Sequence, residues 1–493
     1  MGPEAHNLEV FFFPFLAPGH MIPAVDMARL FASRGVKATV VTTRGNASLV
    51  QPAIDWANKS GRHMRLLLMP FPSSEAGLPE GCENVASVPA ELQFKFMITS
   101  TPLLRDPLER LIREHQPDCI ISDGFFPWTA DVALGFGIPR IVFDGTNFFS
   151  NCVTHSLQYH APSERLAEGE TTFVVPGLPH RIELLKTQTP DMRAMPEAAD
   201  FLRQLEESEL RSFGMVVNSF YELEPEYADH YRNAMGRKAW HVGPVSLCRE
   251  DTADEATRGA ESSIDVADCL NWLDSKKPSS VLYVSFGSIS LFTSVQLREI
   301  ALALEASNLP FIWVVRDFGD SAGHEEEWLP EGFRNKVSEN NSGLVIRGWA
   351  PQVLILNHGA VGAFVTHCGW NSCLEAISAG VPLVTWPLSG EQFYNERQMT
   401  EVLQIGTAVG AGAWTRRAEE RELIKAEQIE KVVSRVIGGG EEAEGKRRKA
   451  RELARRARRA MEEGGSSYSD MDRLIDELIE ERRKIANQSV GDK

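Results

Sequence analysis

The chain has 493 residues, 43% of them hydrophobic and 24% charged, which is typical of a globular protein with two domains of roughly 240 residues each. Its net charge of -17 excludes nucleic acid as the main partner, because phosphate binding depends on a basic surface. The seven cysteines, an odd number in a long chain, favour free thiols in a reducing compartment over a disulfide framework. The N-terminal stretch lacks a basic segment and a long apolar run, so neither a signal peptide nor a membrane span is expected, and we predict a cytoplasmic protein.

Short apolar runs alternate with longer amphipathic segments in both halves of the chain, the pattern of parallel sheets with crossover helices. The predicted strands of the first half are LEVFFFPFL, KATVVTT, MRLLLMP, DCIIS and RIVF. The predicted strands of the second half are SVLYVSFG, FIWVV, GLVIR, AVGAFVTH and PLVTW. We therefore predict an α/β protein with two doubly wound, Rossmann-like parallel sheets.

The domain boundaries are predicted from a polar, charged segment between the two halves. Residues 249–268 contain few large apolar side chains and are interpreted as a linker. This places one domain at 1–248 and a second at 269–467. We expect residues 468–493 to form a C-terminal helix that packs back on the first domain.

The segment FVTHCGWNSCLEAISAGVPLVTWP, residues 364–387, gathers several chemically active side chains between two apolar runs. A zinc site could use His367, Cys368 and Cys373, but no paired motif nearby supplies a fourth ligand. A nucleophile would need a sharp turn of the G-x-S-x-G kind, whereas Ser372 is followed by cysteine. Both interpretations are disfavoured.

An anion site fits the same segment better, because it predicts a strand, a helix and a second strand. The helix is predicted to begin at Asn371 and Ser372, which are favourable N-cap residues, and to end at Gly380. A helix N-terminus offers N–H groups and partial positive charge to a phosphate, and Gly369 allows close approach of the backbone. An ordinary capped helix without a ligand remains an open alternative.

The strand order predicted for a doubly wound sheet places the first and fourth strands side by side, with ligands beyond their carboxyl ends. In the first half this brings together His20 and Asp123, although the histidine could instead cap a helix and the aspartate could belong to a turn. In the second half it brings together Ser288 and His367. Two such crevices indicate two ligands and a transfer between them.

The segment from Trp349 to Gln392 closely resembles the signature box of plant secondary-product glycosyltransferases that use UDP-sugars. The similarity extends to FPFLAPGHMIP, ISDGFFPW, VLYVSFGS and EGGSSYS. This resemblance implies the GT-B architecture, two Rossmann-like domains facing a cleft, with the acceptor bound by the first domain and the nucleotide sugar by the second.

The resemblance also implies the residues of the donor site. Trp349 would stack on uracil, Glu375 would bind the ribose hydroxyls, and His367 would hold the diphosphate. The implied UDP-binding residues are Ser288, Trp349, Ala350, Gln352, His367, Gly369, Asn371, Ser372 and Glu375. The implied sugar contacts are Trp370, Glu391 and Gln392.

The implied reaction is an inverting transfer of glucose from UDP-glucose to a hydroxyl of a small lipophilic acceptor, such as a flavonoid, a terpenoid or a hormone. His20 would be the general base and Asp123 would orient it. No metal ion or other cofactor is expected, and the protein is expected to be a monomer. The acceptor pocket is predicted near residues 80–100, 145–160 and 185–205.

Alternatives to this function remain. The same chemistry could use UDP-xylose or UDP-galactose, and a non-catalytic UDP-sugar-binding protein would keep the box but would not need His20 and Asp123. The chain also departs from the family pattern at two positions. Glu391 stands where aspartate is more common, and Gly124 stands where a bulkier residue is common.

Overall fold

The structure is a computed structural model that describes residues 8–89, 92–249, 251–316 and 328–491. Within these residues the chain divides into two units, the first made of 1–148, 191–260 and 459–493, and the second of 149–190 and 261–458. The predicted ranges that begin at residue 1 or end at residue 493 extend beyond the described residues.

The described residues form fifteen strands and nineteen α-helices. The strands are β1 (Glu9–Phe13), β2 (Lys37–Thr43), β3 (Met64–Met69), β4 (Cys119–Asp123), β5 (Arg140–Asp144), β6 (Thr172–Val174), β7 (Glu183–Leu185), β8 (Gly214–Val217), β9 (Ala239–His241), β10 (Val281–Ser285), β11 (Phe311–Val315), β12 (Gly343–Arg347), β13 (Val361–Thr366), β14 (Leu383–Thr385) and β15 (Gly406–Ala408). The helices are α1 (Pro18–Ser33), α2 (Ala47–Lys59), α3 (Ser73–Ala76), α4 (Gln93–Lys95), α5 (Arg105–His115), α6 (Thr129–Phe136), α7 (Phe148–His160), α8 (Pro196–Leu210), α9 (Pro225–Asp229), α10 (Thr252–Glu255), α11 (Val266–Asp274), α12 (Ser294–Ser307), α13 (Phe333–Glu339), α14 (Gln352–Asn357), α15 (Trp370–Ala379), α16 (Gln392–Arg397), α17 (Ala426–Ile437), α18 (Glu441–Met461) and α19 (Ser466–Gly491).

The first unit contains a seven-stranded parallel sheet in the order β3-β2-β1-β4-β5-β8-β9. Successive side chains of a strand point to opposite faces. Val10 and Phe12 therefore pack in one apolar layer with α1 and α2, whereas Phe11 and Phe13 pack in the other layer with α5 and α6. The predicted order 3-2-1-4-5 is confirmed, and β8 and β9 extend it.

The second unit contains a six-stranded parallel sheet in the order β12-β11-β10-β13-β14-β15. Leu282 and Val284 of β10 face a core shared with α12 and α17. The sequence predicted five of these strands and missed the three-residue β15. It also missed the antiparallel hairpin β6–β7.

The units divide the chain differently from the predicted domain ranges. Residues 149–190 belong to the second unit, where Thr187 Oγ1 donates a hydrogen bond to the carbonyl oxygen of Gly412 at 2.6 Å. The part of the predicted linker up to Ala260 belongs to the first unit. Both differences arise from contacts between residues far apart in the chain.

Charged residues of the predicted linker are buried against α1. Arg249 and Arg258 pair with Asp26 at 2.6 and 2.8 Å, and Asp254 pairs with Arg29 at 2.5 Å. Burial opposes ionisation, but the two arginines hold the pKa of Asp26 below its ordinary value. Arg249, Asp254 and Arg258 are thus part of the folded interior of the first unit.

Helix α19 packs on the first unit through an apolar face that enters the same core as α1, formed by Met471, Leu474, Ile475 and Leu478. Asp470 accepts hydrogen bonds from the His241 backbone N–H at 2.9 Å and from Arg232 at 3.0 Å. Among the described residues, no helix combines the length and apolarity that a membrane crossing requires.

Candidate functional site

His20 and Asp123 meet at the carboxyl ends of the neighbouring strands β1 and β4. Helix α1 begins at Pro18, so His20 lies in its first turn, and its Nδ1 is 2.7 Å from Asp123 Oδ2. The histidine side chain is 23% exposed and the aspartate 2%. Because a carboxylate accepts this hydrogen bond, the proton lies on Nδ1 and Nε2 is the basic nitrogen.

The surroundings of this pair hold the imidazole in one orientation. The ring centroids of Phe15 and Phe125 lie 5.4 and 5.2 Å from that of His20, and the Phe125 backbone N–H donates to Asp123 Oδ1 at 3.0 Å. A Cβ atom at Gly145 would lie 3.2 Å from Cε1 of His20, which is tighter than an ordinary contact. These neighbours restrict the movement of both side chains.

The first unit also contains a cavity of about 850 Å³, lined by side chains within residues 98–102, 127–131 and 196–211, among them the charged Asp131, Asp200 and Arg211. Its wall includes Ile98 and Phe201, which lie in two of the segments predicted to bind the acceptor. The ring of Phe201 lies 6.0 Å from that of Phe125, which contacts His20. At Gly124 an added Cβ would meet Val142 at 3.7 Å, an ordinary contact, so the fold accommodates a Cβ atom there.

His367 lies at the end of β13, beside the turn that follows β10 and contains Ser288. Burial lowers the pKa of His367 to about 4, so the imidazole is neutral at pH 7. Its Nδ1 is buried and has no hydrogen-bond partner among the described residues. Cβ atoms at Gly287 and Gly369 would lie 2.8 and 2.4 Å from Nε2. The space beside Nε2 therefore depends on these two glycines.

Helix α15 begins one residue earlier than the sequence predicted. Its N-cap is Gly369 and its first residue is Trp370, so the predicted N-caps Asn371 and Ser372 lie inside the first turn. The prediction was wrong because it used side-chain preference alone, whereas the turn is set by Cys368, which has a left-handed φ of +66°. No side chain caps the helix, so its N-terminal partial charge faces the space beside His367.

Three of the predicted UDP-binding residues form one hydrogen-bonded group. Gln352 Nε2 donates to Glu375 Oε2 at 2.7 Å and to Ser372 Oγ at 3.2 Å. The hydroxyl of Tyr283, a buried residue of β10, donates to Gln352 Oε1 at 3.1 Å and so orients the amide. Tyr283 was not among the predicted site residues, although a tyrosine in a buried strand needs a partner for its hydroxyl.

The backbone around Trp349 is held by Ser263. The Trp349 N–H donates to Ser263 Oγ at 2.9 Å, and the Ser263 N–H donates to the Trp349 carbonyl oxygen at 2.8 Å. Trp349 is half-buried, and the adjacent Ala350 is buried. The structure thus places both residues just before α14, which begins at Gln352.

The predicted sugar contacts lie at the starts of α15 and α16. Trp370 is only 2% exposed, so its indole offers almost no accessible surface. Gln392 Oε1 accepts hydrogen bonds from the backbone N–H groups of Leu388 and Ser389 at 2.9 and 3.0 Å. Its carbonyl therefore holds the preceding loop, and its amide group is the part that can donate to a ligand. Glu391 Oε1 accepts from Asn395 at 3.3 Å.

The cysteines of the opening segment are packed in the interior. Cys368 and Cys373 are buried, and burial raises the pKa of the Cys368 thiol well above its ordinary value. All seven cysteines are free thiols. In the described part of the chain, no three His, Cys, Asp or Glu side chains are grouped so as to hold a metal ion.

Glu396 is a buried residue of α16, and its titration is expected to make the stability of the protein depend on pH. Burial raises the pKa of Glu396 to about 7, against a lowering effect of the hydrogen bond from Thr385. Between about pH 4.5 and 7 the folded state binds more protons than the unfolded state, so stability falls as pH rises through this window. We expect Glu396→Gln to remove this loss, which is about 3 kcal/mol.

The measurement is the free energy of unfolding of both proteins by denaturant at pH 5 and pH 8. The difference between the variant and the unmodified protein should grow in favour of the variant at pH 8. Any effect of the substitution that does not depend on pH cancels when the two pH values are compared. If the difference in unfolding free energy between the two proteins were the same at pH 5 and pH 8, the pKa of Glu396 would not be raised.

Two units built on parallel sheets, one with a hydrogen-bonded histidine and aspartate at adjacent strand ends and the other with an uncapped helix N-terminus, have the architecture of nucleotide-sugar-dependent transferases of the GT-B class. A family model described as "UDP-glucoronosyl and UDP-glucosyl transferase" matches residues 197–420. The chain belongs to this family, as the comparisons with complete relatives show. The predicted class of enzyme, a UDP-glycosyltransferase, is confirmed.

Two curated relatives and one solved structure cover almost the whole chain. A scopoletin glucosyltransferase of Nicotiana tabacum is 50% identical over 96% of this chain and 98% of its own. An anthocyanin 3'-O-beta-glucosyltransferase of Gentiana triflora is 47% identical over 96% and 98%. The crystal structure of Glycyrrhiza uralensis UGT73P12, complexed with glycyrrhetinic acid 3-O-monoglucuronide, is 41% identical over 98% of both chains with a TM-score of 0.92. The predicted GT-B fold class is confirmed.

Proposed function

We propose that the protein transfers glucose from UDP-glucose, with inversion, to a hydroxyl of a small lipophilic acceptor and so forms a β-glucoside. The observation that carries this proposal is the hydrogen-bonded pair of His20 and Asp123 at the ends of adjacent strands. A protein that only bound a UDP-sugar would have no use for this pair. Its presence favours the enzyme over the binding protein.

The proposed reaction follows from the tautomer of His20. Nε2 accepts the proton of the acceptor hydroxyl as its oxygen attacks the anomeric carbon. The bond from that carbon to the diphosphate breaks, and UDP leaves with the electron pair. Attack from the face opposite UDP converts an α-linked donor into a β-linked product. Asp123 stabilises the imidazolium that forms.

The charge on the departing diphosphate is proposed to be met by the N-terminus of α15 and a hydrogen bond from His367. The supporting observations are the uncapped helix and the buried, neutral imidazole. The other residues that the family resemblance implies for the donor site are proposed to bind UDP and the sugar in the roles given above. The chemistry of this set is hydrogen bonding and a helix dipole, which needs no metal ion.

We therefore expect the transfer rate to stay within about twofold when the protein is treated with excess EDTA. The measurement is the initial rate with UDP-glucose before and after chelation, with added Mg²⁺ or Mn²⁺ as the comparison. Strong inhibition that either metal reverses would contradict a metal-free reaction.

The donor preference is proposed from the names of the relatives and from the sugar contacts. Several relatives are named glucosyltransferases, whereas the related Glycyrrhiza enzyme was crystallised with a glucuronide. We expect the highest kcat/KM with UDP-glucose, compared with UDP-galactose, UDP-xylose and UDP-glucuronic acid. A site built to bond a sugar hydroxyl discriminates strongly when that hydroxyl moves or is missing.

Gln392→Glu and Gln392→Ala both remove the amide donor, and only Gln392→Glu keeps an oxygen that can hold the preceding loop. Glutamate keeps an oxygen for the N–H groups of Leu388 and Ser389 but loses the amide donor, whereas alanine loses both. We expect both variants to lose most of the preference for UDP-glucose, by about tenfold. Equal or better turnover of another UDP-sugar by the unmodified protein would refute the proposed donor.

The acceptor is proposed to be a small plant metabolite with a free hydroxyl, since the relatives are named for scopoletin, anthocyanin, flavonoid and abscisate. A panel of phenolic, terpenoid and hormone hydroxyls with UDP-glucose tests this, and turnover of none of them would contradict it. We also propose a cytoplasmic monomer. The seven free thiols support a reducing compartment, and the net charge of -17 disfavours self-association.

A further inference from the structure

Asn395 is a fully buried residue of α16 whose side chain joins two parts of the proposed donor site. Its Nδ2 donates to the carbonyl oxygen of Cys368 at 2.8 Å and to Glu391 Oε1 at 3.3 Å. Its Oδ1 accepts a hydrogen bond from Ser150 Oγ at 2.8 Å. The side chain is 0% exposed, so these contacts are not in competition with water.

The orientation of this amide follows from its partners. Both groups that face Nδ2 are oxygen acceptors, a carbonyl and a carboxylate, and the group that faces Oδ1 is a hydroxyl that can donate. Ser150 lies on α7, which is also buried at this point. Its hydroxyl therefore fixes which end of the amide faces Glu391.

The two acceptors, the Cys368 carbonyl oxygen and Glu391 Oε1, lie at the starts of the two helices of the proposed donor site. Cys368 has a left-handed φ of +66°, a conformation that non-glycine residues avoid, and it directly precedes the N-cap of α15. Such a conformation persists only where the surrounding contacts hold it. Glu391 is the N-cap of α16 and a proposed sugar contact. One amide thus supports both the turn before α15 and the carboxylate proposed to contact the sugar. The N-terminus of α15 together with His367 is called the cradle, because it is proposed to bind the diphosphate.

We propose that Asn395 is a positioning residue for the donor sugar and that Ser150 acts through it by orienting its amide. This inference rests on the proposed function, because it assigns the sugar to Glu391. Without Asn395 the carboxylate of Glu391 gains freedom to rotate, and discrimination between sugar epimers is lost.

The test compares kcat/KM for UDP-glucose with kcat/KM for UDP-galactose in the same preparation. This ratio does not depend on the fraction of folded enzyme, so a merely structural role would leave it unchanged. We expect Asn395→Ala to lower the ratio about tenfold and Ser150→Ala to lower it several-fold. Asn395→Asp keeps the shape but replaces the two N–H donors of the amide by a carboxyl group with at most one O–H donor, so it should lower the ratio as well.

The matched control is Ser378→Ala, which also removes one buried hydroxyl in the second unit. Ser378 Oγ donates only within α15, to the Leu374 carbonyl oxygen at 2.8 Å, and its loss should leave the ratio unchanged. If Asn395→Ala does not fold, Asn395→Asp and Ser150→Ala provide the same comparison. An unchanged ratio in active Asn395 and Ser150 variants would overturn the inference. Absence of glucosyl transfer by the unmodified protein would instead contradict the proposed function.

Discussion

Replacing His20 by alanine is expected to lower the rate of glucosyl transfer by at least about 10²-fold while leaving the affinity for UDP unchanged. An acceptor hydroxyl is a poor nucleophile at neutral pH, and removing the imidazole removes the proposed base, Nε2, that would take its proton. The Nδ1 contact with Asp123 at 2.7 Å keeps Nε2 basic, so Asp123→Ala should reduce the rate as well, by a smaller factor. Steady-state rates and calorimetric titration with UDP measure the two effects separately.

His115→Ala is a suitable control for this experiment. Its side chain is 22% exposed, close to the 23% of His20, but it lies at the end of α5 and has no contact with Asp123 among those described. The control should retain full activity. A variant of His20 or Asp123 that lost UDP affinity as strongly as it lost rate would place these residues on the donor side, contrary to the proposal.

Replacing His367 by alanine is expected to lower kcat by about 10²-fold, the usual effect of removing one donor that stabilises charge in a transition state. The imidazole is neutral and buried, so it would act as a hydrogen-bond donor to the departing diphosphate. The affinity for UDP should also fall, because UDP carries the same diphosphate. Single-turnover rates and UDP titration give both quantities.

The control for this variant is His358→Ala. His358 lies, like His367, in the segment from Trp349 to Gln392 that resembles the family's signature box. His358 follows α14, and its Nε2 contacts Asp274 of α11 at 3.1 Å. It should keep both kcat and UDP affinity. If His367→Ala retained the rate of the unmodified protein, the cradle would depend on the helix terminus alone.

Much of the fold was predictable because it depends on local pattern and general topology. Apolar runs identified ten strands, and the rule for doubly wound sheets placed β1 beside β4 and β10 beside β13. That rule brought His20 and Asp123 together before any contact was known. The strands that the sequence missed are short, such as β9 and β15 with three residues each, and three residues carry too little pattern to recognise.

The pattern of charged residues predicted burial less well than the pattern of apolar residues predicted strands. The segment 249–268 has the composition of a solvated linker, yet Arg249, Asp254 and Arg258 are paired in the interior of the first unit. Composition cannot distinguish a solvated charge from a buried one. The difference depends on whether a partner such as Asp26 arrives from more than 200 residues away.

The sequence by itself determined the class of fold, the position of His20 and Asp123 at adjacent strand ends and the helix that follows His367, because these follow from periodicity and from the general topology of doubly wound sheets. Only the tertiary structure decided that Gly369 is the N-cap of α15 and that Tyr283 donates a hydrogen bond to Gln352. It also decided that Asn395 donates hydrogen bonds to Cys368 and Glu391. Most of these contacts join residues on different strands and helices. Their geometry exists only once the sheet has brought those elements together, and no local preference encodes it.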